Sequence, residues 1–123
     1  MKIVSTDVAP KPVAAYSQGV EAGGFVFAAG QLGIDPATGE LESGVAAQAQ
    51  RAFQNVRAIL AAAEVGAENI VKITIYLIDL KEFAGVNKIY EDFVGISRPA
   101  RTTVGVAALP MGALIEIDAI AAV

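Results

Sequence analysis

The sequence has no histidine, no cysteine and no tryptophan among its 123 residues. Without histidine and cysteine there is no Ser-His-Asp triad, no thiolate nucleophile and no ordinary zinc site. Any catalysis must use Arg, Lys, carboxylates, Tyr, hydroxyls or backbone amides. There is no disulfide framework, and the redox compartment cannot be read from thiols. Charge is also sparse: charged residues make up 18% of the chain, with nine scattered basic residues and a net charge of −4. Nonspecific nucleic-acid binding needs clustered cations to neutralise phosphates, so it is disfavoured. No apolar run reaches the length of a membrane helix; the best, residues 70–78, is interrupted by Lys72. Lys2 is followed by no continuous apolar stretch of the signal-peptide kind, which makes a cytoplasmic location the expectation.

What is abundant is apolar sequence, at 54% of residues. The length fits one domain spanning residues 1–123, and a domain of this size leaves much surface exposed. So much apolar sequence points to subunit contacts and a homo-oligomer. Pro10 and Pro12 mark residues 9–15 as an irregular arm. Gly23-Gly24 between two short apolar runs is a hairpin signal, and Asp35-Pro36-Ala37-Thr38-Gly39 is turn chemistry.

Ala49, Ala52, Phe53, Val56, Ile59, Leu60 and Ala63 recur at helical spacing, with Gln50, Arg51, Gln54 and Arg57 on the other side. Gly66 suits a left-handed helix cap. Residues 70–78 alternate, placing Val71, Ile73, Ile75 and Leu77 on one face of a strand and Lys72, Thr74, Tyr76 and Ile78 on the other. Asp79 and Glu82 have capping-box spacing before a second helix. Its stripe is Phe83, Val86, Tyr90, Phe93 and Val94, with the polar Asn87 inside it. Arg98-Pro99 breaks that helix. Two strands, about 101–109 and 114–121, flank a tight turn at Pro110-Met111-Gly112. The order predicts an α+β fold, a mixed sheet with two helices on one face.

These residues resemble the Rid/YjgF reactive-intermediate deaminases nearly end to end. The likeness runs through Ala15-Tyr16-Ser17-Gln18-Gly19-Val20, Ala29-Gly30-Gln31 and Asp35-Pro36-Ala37-Thr38-Gly39-Glu40-Leu41. It continues through Val71-Lys72, Asp79-Leu80, Phe83-Ala84, Val86-Asn87 and Tyr90. The most specific stretch is Pro99-Ala100-Arg101-Thr102-Thr103-Val104, then Leu109-Pro110 and Ile115-Glu116-Ile117-Asp118-Ala119-Ile120-Ala121. The resemblance implies a chorismate-mutase-like fold and a homotrimer with active sites between subunits. It implies hydrolysis of 2-imino or enamine acids, such as 2-iminobutanoate and 2-iminopropanoate, to 2-keto acids and ammonia, without metal or organic cofactor. It places Arg101 on the substrate carboxylate, Glu116 near the reacting carbon and Tyr16 in the pocket lining. Gly30, Ala29, Asn87, Ala100 and Thr103 fall at substrate-binding positions. The chain departs from the family where Ala14-Ala15 replaces Gly-Pro, Ala29 replaces Ser, Thr103 replaces Cys and Val94 replaces an aromatic. These differences bear on substrate preference more than on reaction type.

The chemistry of the residues agrees with those roles. A 2-imino acid presents a carboxylate beside an electrophilic carbon. The arginine fork donates two parallel hydrogen bonds to a carboxylate and never deprotonates; the bland alternative for Arg101 is a surface ion pair. Glu116 interrupts an apolar strand and shares a face with Asp118. It would orient and partly deprotonate a water, and partial burial would raise its pKa toward neutrality; the bland alternative is a solvated strand face. Asp118 is read as structural. Gly30 allows close backbone approach, or is a simple bulge glycine. Tyr16 hydrogen-bonds water or nitrogen, or packs in an interface. Asn87 is expected to satisfy backbone, with a secondary positioning role.

If the last two strands form a hairpin, Glu116 stands opposite Val106, and Arg101 lies five residues further, roughly 16 Å away at ~3.3 Å per residue. A small acid cannot touch both, so a shared site draws them from different subunits. Two other functions compete. One is a trimeric small-acid-binding module without turnover. The other is an endoribonuclease or translation inhibitor, which the acidic chain and missing histidines argue against.

Overall fold

A computed structural model describes residues 1–123. Six strands and two α-helices follow in chain order: β1 (Lys2–Val4), β2 (Gly19–Ala22), β3 (Phe25–Leu32), α1 (Val45–Ala62), β4 (Ile70–Leu77), α2 (Phe83–Val94), β5 (Ala100–Gly105) and β6 (Ile115–Ala122). The strands form one mixed sheet, ordered β1-β2-β3-β6-β4-β5. All neighbours are antiparallel except β4 and β5, which run parallel with α2 as their crossover. This is the expected α+β architecture.

Alternation builds the core. Ile115, Ile117, Ala119 and Ala121 of β6 and Ile73, Ile75 and Leu77 of β4 are buried in one cluster with residues of both helices. Those helix residues include Ala49, Ala52, Phe53, Val56 and Leu60 of α1 and Val86, Tyr90, Phe93 and Val94 of α2. Each fully buried aliphatic side chain of this kind contributes roughly 1.5–3 kcal/mol. The opposite face of the sheet is bare, and Ile3, Phe25 and Phe27 remain 60%, 39% and 42% exposed there.

The hairpin forms at Gly23-Gly24, whose φ values of 60 and 84 suit the two central positions of a tight hairpin turn. Asp35 organises its turn by accepting from the Ala37 N–H at 2.8 Å. α1 begins at Val45, behind Gly44. Several local expectations from its C-terminal end onward are corrected. The left-handed residue after it is Glu64, at φ 62, whereas Gly66 is extended and opens a 3-10 turn. Val71 is exposed because the ladder slips between Ile70 and Lys72, which puts Ile70 in the core instead. Asp79 caps a 3-10 turn over Leu80–Glu82 by accepting from the Lys81 N–H at 2.9 Å, and α2 starts after it. β1, at the sheet edge, was not foreseen.

The largest correction concerns β5 and β6, which are not a hairpin. β4 lies between them, pairing with both. β5 stops at Gly105, and residues 106–114 carry the chain over β4's end to reach its other side.

Candidate active site

Arg101 stands near the start of β5. Arg98 turns the chain at φ 46 and Pro99 fixes its own φ, so the strand leaves α2 in a set direction. In the parallel register Arg101 is level with Ile73, on the helix-covered face. Its guanidinium lies 4.7 Å from the Tyr90 ring centre and 5.1 Å from that of Phe83. It donates to Asn87 Oδ1 at 2.6 Å, and Asn87 Nδ2 donates to Glu91 Oε1 at 2.9 Å. Phe83, Asn87 and Tyr90 are spaced i, i+4, i+7 along α2 and so share one side of it. Burial pushes the Tyr90 hydroxyl above its ordinary range, partly offset by the Arg101 charge. Asn87 therefore bonds two side chains and not backbone, contrary to expectation. No carboxylate pairs with Arg101: the ion pairs of the chain are Lys11–Asp7, Arg51–Asp35 and Arg51–Glu42. The guanidinium is held by two rings and one amide, with donors to spare, beside an open cleft of about 660 Å³. Thr103 shares this face two residues on, and its Oγ1 is buried without a hydrogen-bond partner.

Glu116 stands on the other side of the sheet, level with Tyr76 of β4 and Leu32 of β3. The β3–β6 ladder is irregular between Ala28 and Gln31, so Ala29 and Gly30 form a bulge beside it. A Cβ built on Gly30 would overlap the Glu116 carboxylate. Glycine here leaves space for the acid and is not required by a left-handed backbone. Glu116, Gly30, Ala29 and Tyr16 line one cleft of about 760 Å³ with apolar walls that include Val13, Leu32 and Met111. Tyr16 belongs to the irregular arm and is 52% exposed. Buried Gln18 clasps the arm: its Oε1 accepts from the Thr6 N–H at 2.7 Å and its Nε2 donates to Pro10 O at 2.8 Å. Burial pushes the Glu116 carboxyl above its ordinary value of 4.5, and the Asp118 charge adds to this.

The anticipated residues thus fall into two groups. Asn87, Arg101 and Thr103 gather on the helix side of β5; Tyr16, Ala29, Gly30 and Glu116 gather around the other cleft. The two clefts share no lining residue. Ala100 points away from Arg101, level with Lys72, and lines neither cleft. Two strand spacings and three residues of offset separate Arg101 from Glu116 by roughly 14 Å between Cα atoms, on opposite faces. A site that uses both residues within one copy is excluded, although the hairpin behind the expected separation does not exist. Sequence reading missed the Phe83–Tyr90 platform; the signal was there, in an asparagine sharing a helix side with two aromatics.

Comparison with known proteins shows the family. The model of the family described as Endoribonuclease L-PSP matches residues 6–123. A RutC family protein of Aquifex aeolicus is 50% identical over 123 residues, covering 98% of this chain and 98% of that protein. The 2-iminobutanoate/2-iminopropanoate deaminase of Rattus norvegicus is 44% identical over 121 residues, covering 98% and 88%. The crystal structure of E. coli TdcF with bound serine superposes with a TM-score of 0.96 at 39% identity, covering 100% of this chain and 99% of that one. With end-to-end similarity in both sequence and fold, the chain belongs to the Endoribonuclease L-PSP family, the Rid/YjgF proteins.

Proposed function

We propose that the chain is one subunit of a homotrimeric deaminase that hydrolyses 2-imino acids to 2-keto acids and ammonia, at sites formed by Arg101 of one copy and Glu116 of the next. The observation that carries this reading is the state of Arg101: a guanidinium held in place by two rings and one amide, yet without a carboxylate. The bare sheet face, with Ile3, Phe25 and Phe27 exposed, supports the assembly. The names of the mammalian relatives support the reaction, and the serine in TdcF supports a small amino-acid-like ligand.

In this mechanism Arg101 grips the substrate carboxylate through its free donors, and the Gly30 amide adds a hydrogen bond, while Thr103, whose Oγ1 is buried and which lines neither cleft, stands behind Arg101. Water attacks C2 of the protonated imine while Glu116 takes one of its hydrogens. Glu116 returns that hydrogen to the nitrogen of the resulting carbinolamine. The C–N bond breaks, the nitrogen leaves as ammonia with the bonding pair, and the carbinol oxygen gives its hydrogen to the Glu116 carboxylate as the C=O bond forms. Glu116 then passes that hydrogen to the departing ammonia, which leaves as ammonium. A carboxylate made more basic by burial is better suited to the first transfer. Imines hydrolyse readily, so positioning plus one acid–base group suffices.

The test generates 2-iminobutanoate or 2-iminopropanoate in situ with an amino-acid oxidase and follows keto-acid release. Arg101→Ala and Glu116→Ala should each lose about 10²-fold or more in turnover, with Glu116→Ala still binding ligand. Equal, uncatalysed rates in wild type and both variants would favour the binding module. Mixing the two dead variants after dissociation adds a second test. If each site takes Arg101 and Glu116 from different copies of a cyclic trimer, random assembly restores about a quarter of wild-type activity. No recovery despite exchange of subunits, or full activity in a monomeric variant, would refute the shared site. Salt-sensitive RNA binding by highly purified protein would revive the ribonuclease reading.

A further inference from the structure

Glu116 does not stand alone on the bare face. Asp118 is two residues on along β6, about 7 Å away at the Cα atoms. Tyr76 is beside Glu116 in the β4–β6 register and diagonal to Asp118. Its hydroxyl crosses that diagonal and donates to Asp118 Oδ2 at 2.8 Å. The other charged groups near Glu116 are engaged elsewhere. Lys72 of β4 donates to Thr102 Oγ1 at 2.8 Å on β5 and more weakly to Ile73 O at 3.4 Å and Thr74 Oγ1 at 3.5 Å on its own strand, and pairs with neither carboxylate. Lys11 and Asp7 of the arm pair with each other at 3.4 Å. Tyr16 lines the same cleft, while β3 offers only Gly30, Gln31 and Leu32 and the 110–112 turn only Pro110 and Met111. Within one copy, two carboxylates therefore share a face with one strong donor and no cation between them. In the proposed trimer the guanidinium facing Glu116 is Arg101 of the neighbouring copy, which is unchanged in every variant of the test below.

We propose that Tyr76 and Asp118 are positioning residues that assign the working proton of this carboxylate pair to Glu116. A hydrogen bond accepted by a carboxylate favours its charged form. Tyr76 gives its hydrogen to Asp118 and not to Glu116. The Asp118 charge beside Glu116 favours the protonated form there. The asymmetry separates two chemically similar acids into a fixed charge and a proton carrier. The Tyr76 hydroxyl is itself pushed above the ordinary tyrosine range, first by its bond to Asp118 and then by burial and the two carboxylate charges, so it stays a donor.

This inference rests on the proposed role of Glu116, and its test separates the two. Carboxyl-¹³C NMR follows the titration of Glu116 in the wild type, Asp118→Asn and Tyr76→Phe, with Glu116→Gln identifying the resonance. Asp118→Asn should move the Glu116 midpoint to lower pH, and Tyr76→Phe should move it the same way by less. Turnover should follow: on the acid side of the profile, Asp118→Asn should keep about two- to fivefold more of its own plateau rate than the wild type does. Plateau kcat and KM should stay within about twofold, since neither group touches substrate. Tyr76→Phe, which keeps the ring, carries the test if Asp118→Asn does not fold. An unmoved Glu116 midpoint in the folded variants overturns the proposal whatever the activity. A moved midpoint in proteins that never turn over an imine, wild type included, leaves the proton assignment standing and removes the deaminase reading.

Discussion

Asn55 and Glu116 are both polar residues in apolar surroundings, one on each side of the same sheet. Asn55 lies on the buried side of α1, 1% exposed, and its Nδ2 donates to Leu32 O at 3.1 Å and Ile34 O at 2.9 Å. Glu116 is half-buried on the bare face, makes no ion pair, and has its proton affinity raised by burial and by Asp118. An unmet buried group costs free energy. The fold meets that demand at Asn55, where the end of β3 has to be held against α1, and leaves it standing at Glu116. A satisfied buried polar group fixes structure; a half-buried carboxylate without a counter-ion stores a readiness to take up a proton or a ligand.

Three measurements can break this contrast. The largest effect belongs to Gly30→Ala. Its Cβ would occupy the place of the Glu116 carboxylate, so the acid must swing away. We expect kcat to fall about 10²-fold with thermal stability little changed, because a displacement near 1 Å at a reacting group has that effect. A normal rate would mean that the position of Glu116 does not matter.

Asn55→Leu is the counterpart on the covered side. It leaves two carbonyls without their donor and should cost about 2–3 kcal/mol in denaturant unfolding, with kcat in the surviving folded protein nearly unchanged. A loss of turnover larger than the loss of stability would show that the two faces are not separate in function.

The smallest effect is the pH dependence of stability at Glu116. A carboxyl whose folded-state pKa is raised contributes stability that is complete below its unfolded value and lost as pH rises through the folded one. Glu116→Gln should therefore raise the thermal midpoint modestly near neutral pH and leave it unchanged well below 4.5, the ordinary glutamate value. Equal midpoints at both pH values would place Glu116 among ordinary solvated acids.

The sequence alone determined the elements whose signals are local. Periodicity gave both helices, two adjacent glycines gave the hairpin turn, and alternation gave the buried sides of β4 and β6. The motif around Arg101 and Glu116 was equally legible, because residue type and spacing are written in the chain. What the tertiary structure decided was which strands are neighbours and which side each group faces. Residues 100–122 contain two strands with the turn signal Pro110-Met111-Gly112 between them, and nothing local tells a hairpin from a pair with another strand inserted. That choice is made by β4, whose Ile73, Ile75 and Leu77 fit between β5 and β6 and extend one dry layer under the helices. Side-chain direction in a strand alternates with every residue, so the pairing register put Arg101 among the rings of α2 and left Glu116 on the bare face beside Tyr76 and Asp118.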